Sequence, residues 1–224
     1  MVIVHDVLGE GARADQLDAV TQARAVQAAL GPLGHTFAGT VELSLDLARA
    51  RREIAARRPE VVFNLVESVE GHGRLAHLGP ALFEAMGVPF TGSGSGPILV
   101  STSKRMTKAA LAGAGVHLAR DYGREELAAL ADGAPGLAGL GVREFEAGRY
   151  IVKSVWEEAS VGIDDDCVVE ARSAGELLEA VDRLAGRMGG EAFAERFVEG
   201  REFNMSALCS GGVGGGGRVN PRST

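Results

Sequence analysis

Lysines at the start of a predicted helix suggest contact with a phosphate group. Lys104 and Lys108, with Arg105 between them, fall in the first turns of the helix predicted over residues 103–114. The N-terminus of a helix is partially positive, so these cations stand at the end that disfavours them. They are therefore either solvated surface lysines, or they face a phosphate together with the helix N-terminus.

A further lysine interrupts a segment that is typical of a buried strand. Residues 150–156, sequence YIVKSVW, are mostly apolar, β-branched or aromatic, yet Lys153 lies among them. Strand alternation places Lys153 on the same face as Ile151, so its amine is expected in a cleft or core. Because a lysine is rarely buried without a partner, the sequence leaves two open: an ion pair with Glu157 or Glu158, or a phosphate.

Small residues follow this strand in a loop that is suited to covering a phosphate. Ser160, Val161 and Gly162 would let backbone N–H groups approach phosphate oxygens closely. A linker has the same composition, so the loop alone does not decide between the two interpretations.

A predicted hairpin over residues 192–209, with its turn at 199–200, combines apolar and acidic side chains. One interpretation is an adenine slot, with Phe197 and Val198 against the ring and Glu202 accepting hydrogen bonds from ribose hydroxyls. The other is a solvated hairpin without a ligand.

The elements around these residues predict an open, mostly parallel α/β sheet followed by an α+β half. In the first half, strands and helical patterns alternate: strands at 2–7, 61–66 and 88–90, helices at 17–30 and 43–54. Ligands of such sheets bind at the carboxyl ends of strands. The loop at 66–73, sequence VESVEGHG, is therefore a candidate substrate loop.

A glycine- and serine-rich stretch, TGSGSGP at residues 91–97, predicts a hinge between the two halves. We therefore expect one domain at 1–95 and a second domain at 96–210. The second domain includes a helix that begins with a capping box at Ser173. Residues 211–224 contain few apolar side chains and predict a disordered tail.

The composition disfavours several classes of protein. A net charge of −7 argues against nucleic-acid binding, and no apolar segment approaches the length of a membrane span. Cys167 and Cys209 fit neither a disulfide framework nor a zinc cluster. We expect a cytoplasmic protein with reduced thiols, and the sequence leaves a homodimer open.

Taken together, these segments resemble the D-alanine–D-alanine ligase-like branch of the ATP-grasp family. A Lys-x-x-x-Lys helix, an I-V-K strand, an A-S-V-G loop and an E-G-R-E-F hairpin occur in the order found in that family, from about residue 55 to 208. The resemblance implies a pre-ATP-grasp α/β domain followed by an incomplete ATP-grasp domain. It also implies an ATP-dependent carboxylate–amine ligase that acts through an acyl phosphate.

The same resemblance implies roles for particular residues. Lys104 and Lys153 would contact ATP phosphates, the loop would cover them, and the hairpin would hold the adenosine. Glu67 stands where the family commonly carries a substrate-positioning histidine. The residues implied to bind ATP are Lys104, Lys153, Ser160, Val161, Gly162, Glu195, Phe197, Val198 and Glu202.

The resemblance also implies Mg²⁺, whose ligands in the family come from strands beyond the hairpin. No aspartate or glutamate follows Glu202 in this sequence, so we expect the chain to lack this metal site, to bind ATP weakly and not to complete ligation. The implied partners are ATP and a small amino-acid or peptide substrate. An alternative of a different class is a non-catalytic nucleotide-binding remnant or an interaction module.

Overall fold

The computed structural model describes residues 1–7, 14–133, 144–156, 163–201, 203, 207–209 and 219–221. A three-stranded parallel sheet, in the order β2-β1-β3, forms the centre of the first half. Its elements are β1 (Val2–Asp6), α1 (Ala14–Leu30), β2 (Thr40–Leu43), α2 (Leu47–Arg57), β3 (Val62–Leu65) and α3 (Leu78–Met86).

The first half folds around the central strand of this sheet. In β1, Val4 lies opposite Val41 of β2 and Asn64 of β3. Val2 and Val4 are fully buried and share one core cluster with Ile54 of α2 and Phe83 of α3. This arrangement confirms the predicted parallel α/β half, and it puts the carboxyl ends of β1 and β3 side by side.

A four-stranded antiparallel sheet, in the order β4-β7-β5-β6, forms the centre of the second half. Its elements are α4 (Ser95–Thr102), α5 (Lys104–Gly113), β4 (Asp121–Gly123), α6 (Arg124–Ala131), β5 (Gly148–Ser154), β6 (Val168–Ala171), α7 (Ala174–Ala185) and β7 (Ala192–Arg196). One sheet face packs against α6 and α7 in a second core cluster, which includes Tyr150, Val152, Leu127 and Leu177. The predicted α+β half is confirmed.

Helix α7 forms as its sequence predicts. The Ser173 hydroxyl accepts a hydrogen bond from Glu176 N at 3.2 Å, and the Glu176 carboxylate accepts one from Arg172 N at 2.8 Å. These contacts satisfy backbone donors that the first turn would leave unpaired. Leu177 and Val181 then lie fully buried on the face that meets the sheet.

The predicted helix at 43–54 begins too early in the chain. Leu43 instead ends β2, and α2 starts at Leu47. The side chain of Asp46 accepts a hydrogen bond from Arg49 N at 2.9 Å and fixes this start. Leu43 of β2 and Ile54 of α2 are buried in the same cluster. The apolar residues from 43 to 54 therefore have the spacing of one helix although they belong to a strand and a helix.

Two further predictions, a strand at 88–90 and a hairpin at 192–209, are also wrong. Residues 88–90 form a single bridge, between Phe90 and Val62, rather than a strand. Strand β8 (Ala207–Cys209) pairs with β9 (Val219–Pro221) and not with β7, so the hairpin at 192–209 is not formed. Strand β9 lies within the tail that was expected to be disordered, and the rest of 211–224 lies outside the described residues.

The two core clusters lie in the two halves of the sequence, one within residues 2–90 and the other within 122–194. Helix α4 begins at Ser95, inside the stretch predicted as a hinge. The division into domains at 95 and 96 stays a prediction. No helix in the described part of the chain is both long and apolar enough to cross a membrane.

We expect Leu177→Ala to lower the free energy of unfolding by about 2–5 kcal/mol, because it opens a cavity in the second core. Leu177 is 0% exposed, whereas Leu33 is 69% exposed. The matched control Leu33→Ala should change stability by less than about 0.5 kcal/mol. Urea denaturation of the two variants measures both effects, and equal losses would contradict the assignment of the core.

Candidate functional site

The start of α5 is attached to the end of β5. Ser103 is buried, and its hydroxyl accepts a hydrogen bond from Met106 N at 3.3 Å, which caps the helix. The next residue, Lys104, donates its backbone N–H to Val155 O at 3.0 Å. This contact brings the lysine-bearing helix next to the strand that carries Lys153.

Lys153 and Glu195 project from the same face of the antiparallel sheet. In the pairing of β5 with β7, Ile151 is opposite Glu195 and Lys153 is opposite Phe193. The alternate residues of β5 include Tyr150, which is buried in the core beneath α6 and α7. Lys153 therefore lies on the other face, which it shares with Ile151 as alternation along the strand predicted, and it points away from that core. Its Nζ donates to Glu195 Oε2 at 2.7 Å.

Two carboxylates stand directly opposite each other on this face. Asp121 of β4 pairs in register with Glu195 of β7. Like charges at such positions destabilise a sheet, and Lys108 of α5 lies between them. Its Nζ is 2.6 Å from Glu195 Oε1 and 3.5 Å from Asp121 Oδ1, and it also donates to Ala119 O at 2.6 Å.

These contacts belong to a row of six side chains whose charges alternate in sign, which we call the ion-pair network. Arg105 contributes the remaining contacts, at 3.4 Å to Asp121 and 3.2 Å to Glu126. Three carboxylates and three cations balance, so the network carries no net charge. In order, its members are Glu126, Arg105, Asp121, Lys108, Glu195 and Lys153.

Glu195 is the carboxylate that lies between two lysines of the network. Burial raises the pKa of its carboxyl, but hydrogen bonds and charge from Lys108 and Lys153 outweigh burial and hold that pKa below its ordinary value. Its side chain is 18% exposed, between Lys108 at 13% and Lys153 at 29%. The most exposed of these three groups is the cation at the end of the row.

Three residues of the predicted adenine slot, Glu195, Phe197 and Val198, lie in the described part of the chain. The guanidinium of Arg149 lies over the Phe197 ring, 4.6 Å from its centroid, and Phe197 N donates to Arg149 O at 2.9 Å. Val198 is 69% exposed. Glu195, which was expected to border adenine, accepts hydrogen bonds from Lys108 and Lys153, and its place beside adenine stays a prediction. Glu202 lies outside the described residues.

Among the described residues Lys153 pairs with Glu195, which the sequence analysis had not named as its partner. Glu157 and Glu158 lie outside the described residues, as do Ser160, Val161 and Gly162. Their part in the site therefore stays a prediction. The ion pair with Glu195 has no sequence signal, because it joins residues from two strands that are distant along the chain.

At the carboxyl ends of the parallel strands, Asp6 holds the candidate substrate loop. Its carboxylate accepts hydrogen bonds from Ser68 Oγ at 2.5 Å, Ser68 N at 2.8 Å and Glu67 N at 3.2 Å. Burial raises the pKa of the Asp6 carboxyl, and these hydrogen bonds only partly offset that rise. The Glu67 side chain is exposed immediately beyond β3.

Glu191 connects the end of β5 to the segment that follows the candidate substrate loop. Trp156 Nε1 donates to Glu191 Oε2 at 2.8 Å, and Arg74 Nη1 lies 3.4 Å from Glu191 Oε1. Trp156 is the single tryptophan of the chain. It lies at the C-terminal end of the β5 segment, next in sequence to the loop predicted to cover phosphate.

A separate cleft of about 370 Å³ lies in the first half, between α1, β1, β2 and α2. It contains none of the residues predicted to bind ATP. Three of its charged side chains pair with one another, since Arg49 is 3.1 Å from Glu53 and 4.0 Å from Glu42. The lining residues are His5, Val20, Ala23, Arg24, Gln27, Thr40, Glu42, Arg49 and Glu53.

The part of the chain that the structure describes does not fit the Mg²⁺ that the resemblance implies. It contains no group of three or more histidine, cysteine, aspartate or glutamate side chains that could hold a metal ion. The carboxylates nearest Lys153 and Lys108 are held by cations in the ion-pair network.

The sequence predicted that Lys108 is either a surface lysine or faces a phosphate together with Lys104, and the resemblance gave it no role. In the structure Lys108 lies between Asp121 and Glu195 in the network. One signal could have found it. Of the 23 lysine and arginine residues, three are lysines, and all three lie on α5 or β5. A chain that uses arginine almost everywhere else retains lysine only at these positions.

The sequence is similar to curated D-alanine–D-alanine ligases. It is 29% identical to the enzyme of Gluconobacter oxydans (strain 621H) over 206 residues, which are 90% of this chain and 60% of that protein. It is 33% identical to that of Anaeromyxobacter dehalogenans (strain 2CP-C) over 183 residues, covering 80% and 52%. No family model matches the sequence.

The fold is similar to solved structures of the same enzymes. The D-alanine–D-alanine ligase of Bacillus anthracis, solved also in complex with ATP, superposes with a TM-score of 0.58 at 16% identity over 89% of this chain. The D-alanyl-alanine synthetase A of Vibrio cholerae gives a TM-score of 0.58 at 13% identity, over 98% of this chain and 65% of that one.

The fold thus defines an α/β protein in which a parallel sheet precedes an antiparallel one, as in those ligase structures. The relatives confirm the resemblance, and the chain is related to the D-alanine–D-alanine ligase family over most of its length. It spans between half and two thirds of the length of the relatives described above.

We expect Glu195→Gln to reduce stability at pH 7 and to weaken the loss of stability in acid. A carboxyl whose pKa is lowered by folding stabilises the protein above its unfolded pKa, ordinarily 4.5, and this stabilisation is lost as pH falls through the lower folded pKa. At pH 7 the variant replaces the carboxylate by a neutral amide with a single acceptor oxygen, so the two lysines lose their shared charged partner, at a cost of about 1–3 kcal/mol.

Urea denaturation between pH 7 and pH 3 measures both effects. Comparison with Glu179→Gln, an exposed position on α7, cancels the titration of all other groups. If the two variants have the same stability difference from the parent at every pH, Glu195 does not stabilise the fold through its charge.

Proposed function

We propose that the chain binds ATP at the exposed end of the ion-pair network, with Lys153 as a phosphate-binding residue. The observation that carries this proposal is the position of Lys153 in the alternating row. The row ends in a cation, and within the described residues the one ion pair of Lys153 is with Glu195. An anion is the group that would continue the alternation, and a polyphosphate supplies several negative oxygens.

Lys104 supports the same assignment. As the first residue of α5 it joins the helix N-terminus, with its partially positive N–H groups, to the end of β5. The loop at Ser160, Val161 and Gly162 follows β5 in sequence and would cover the phosphates. Glu202 would accept hydrogen bonds from the ribose.

We assign the adenine a place near the exposed Val198 and the edge of Phe197. The face of the Phe197 ring that lies under Arg149 is already covered, so stacking would use the remaining face or follow a movement of Arg149. Glu195 would border this region while it remains bound to Lys108.

The reaction class that the relatives support is ATP-dependent ligation of a carboxylate to an amine. A carboxylate oxygen of the substrate would attack the γ-phosphorus, forming an acyl phosphate as ADP leaves. An amine would then attack the carbonyl carbon, releasing inorganic phosphate and losing a proton to give the amide. Glu67 and the loop held by Asp6 lie at the sheet edge where such substrates bind.

The residues of this chain would contribute binding and orientation rather than a covalent intermediate. The described residues do not provide a group of ligands for Mg²⁺. The second candidate, a nucleotide-binding protein without ligase activity, would use the same phosphate contact of Lys153. Amino-acid-dependent release of ADP, measured with D-alanine and a panel of other amino acids, distinguishes the two.

We expect Lys153→Ala to weaken ATP binding about tenfold to a hundredfold, because a charge-assisted hydrogen bond contributes roughly 1.5–3 kcal/mol. Titration calorimetry measures the two dissociation constants. Arg52→Ala, which removes one exposed positive charge from α2, is the matched control and should leave binding nearly unchanged. Equal affinity of the parent and Lys153→Ala would refute the assignment of Lys153.

A further inference from the structure

The two lysines that contact Glu195 are held differently. Lys108 Nζ has three oxygens around it, from Glu195, Asp121 and Ala119, and its side chain is 13% exposed. Lys153 Nζ contacts the other oxygen of Glu195, and its side chain is 29% exposed. An amine with three partners is harder to withdraw from its site than one that shares a single carboxylate.

Each carboxylate oxygen of Glu195 has its own lysine. Lys108 contacts Oε1 and Lys153 contacts Oε2. If Lys153 turns towards an incoming anion, Glu195 retains a cation and a hydrogen bond. Without Lys108, the same movement would leave a largely buried carboxylate unpaired, facing Asp121 and the anion.

We propose that Lys108 is a positioning residue, which keeps Glu195 in place and neutralised so that Lys153 is free to bind a polyphosphate. The identity of this polyphosphate as the triphosphate of ATP rests on the function proposed above. The different roles of the two lysines are inferred from their contacts alone. Lys108 itself does not contact the ligand.

The composition of the chain makes this division directly measurable. Lys104, Lys108 and Lys153 are its only lysines, so acetylation with an N-hydroxysuccinimide ester followed by peptide mass spectrometry resolves each of them. In the parent protein Lys108 should react slowest. Inorganic tripolyphosphate should protect Lys153 and leave the reactivity of Lys108 unchanged.

The variants Lys108→Met and Lys108→Arg test the positioning role. Lys108→Met should raise the dissociation constant for tripolyphosphate and for ATP at least tenfold, because Lys153 can no longer leave Glu195 without exposing an unpaired carboxylate. Lys108→Arg, which restores a cation beside Glu195 and Asp121, should bind both within about threefold of the parent. Circular dichroism at the assay temperature ensures that only folded variants are compared.

Acetylation gives a second measurement that does not depend on ligand binding. In Lys108→Met both carboxylate oxygens of Glu195 become available to Lys153, so acetylation of Lys153 should slow at least threefold, and Lys108→Arg should reverse this. A merely structural loss of packing would instead expose Lys153 and accelerate its acetylation.

Several outcomes would overturn the proposal: protection of Lys108 by tripolyphosphate, parental affinity in Lys108→Met, or unchanged or faster acetylation of Lys153 in that variant. If neither ATP nor tripolyphosphate binds the parent protein, the proposed function fails, and the acetylation of Lys153 alone decides the positioning role. Binding of tripolyphosphate but not of ATP would retain the role of Lys108 and reject the nucleotide.

Discussion

The candidate site depends on the placement of two carboxylates, Asp121 and Glu195, directly opposite each other on neighbouring strands. Their repulsion would weaken the pairing of β4 with β7 unless a cation stood between them. Lys108 supplies that cation from α5 and thereby fixes the helix against the sheet. The geometry around Lys153 therefore follows from a requirement of the sheet itself, before any ligand is considered.

The same arrangement accounts for the charge of the site. Cations and carboxylates of the ion-pair network balance, so the protein can keep three cations close together without an anion bound among them. Such a cluster is held mainly by contacts between side chains that are partly shielded from water. Lys153 can exchange its contact with Glu195 for a contact with another anion, while the remaining ion pairs of the network persist.

Much of the fold could be predicted from local sequence patterns. Ser173 and the apolar spacing after it predict α7, because capping and burial act within a few turns of one helix. The strand around Lys153 was predicted for the same reason. By contrast, Leu43 was assigned to a helix, since a buried edge strand followed by α2 reproduces a helical spacing.

Contacts between distant parts of the chain could not be predicted in this way. The sequence places Lys108 and Glu195 in separate elements, and only the register of three strands and the docking of α5 bring them together. The family resemblance named Lys153 and Glu195 as site residues but not their mutual ion pair. Likewise, the pairing of β8 with β9 depends on a tail whose composition alone predicted disorder.

The bond between Trp156 and Glu191 gives the protein an intrinsic optical probe. The indole is the only one in the chain, and its N–H points at a carboxylate that also lies near Arg74. Indole emission is sensitive to nearby charge and to water, so the tryptophan fluorescence of the unlabelled protein reports on the surroundings of this single side chain. That place is the junction between the end of β5 and the segment after the candidate substrate loop, and its movements can be followed in real time.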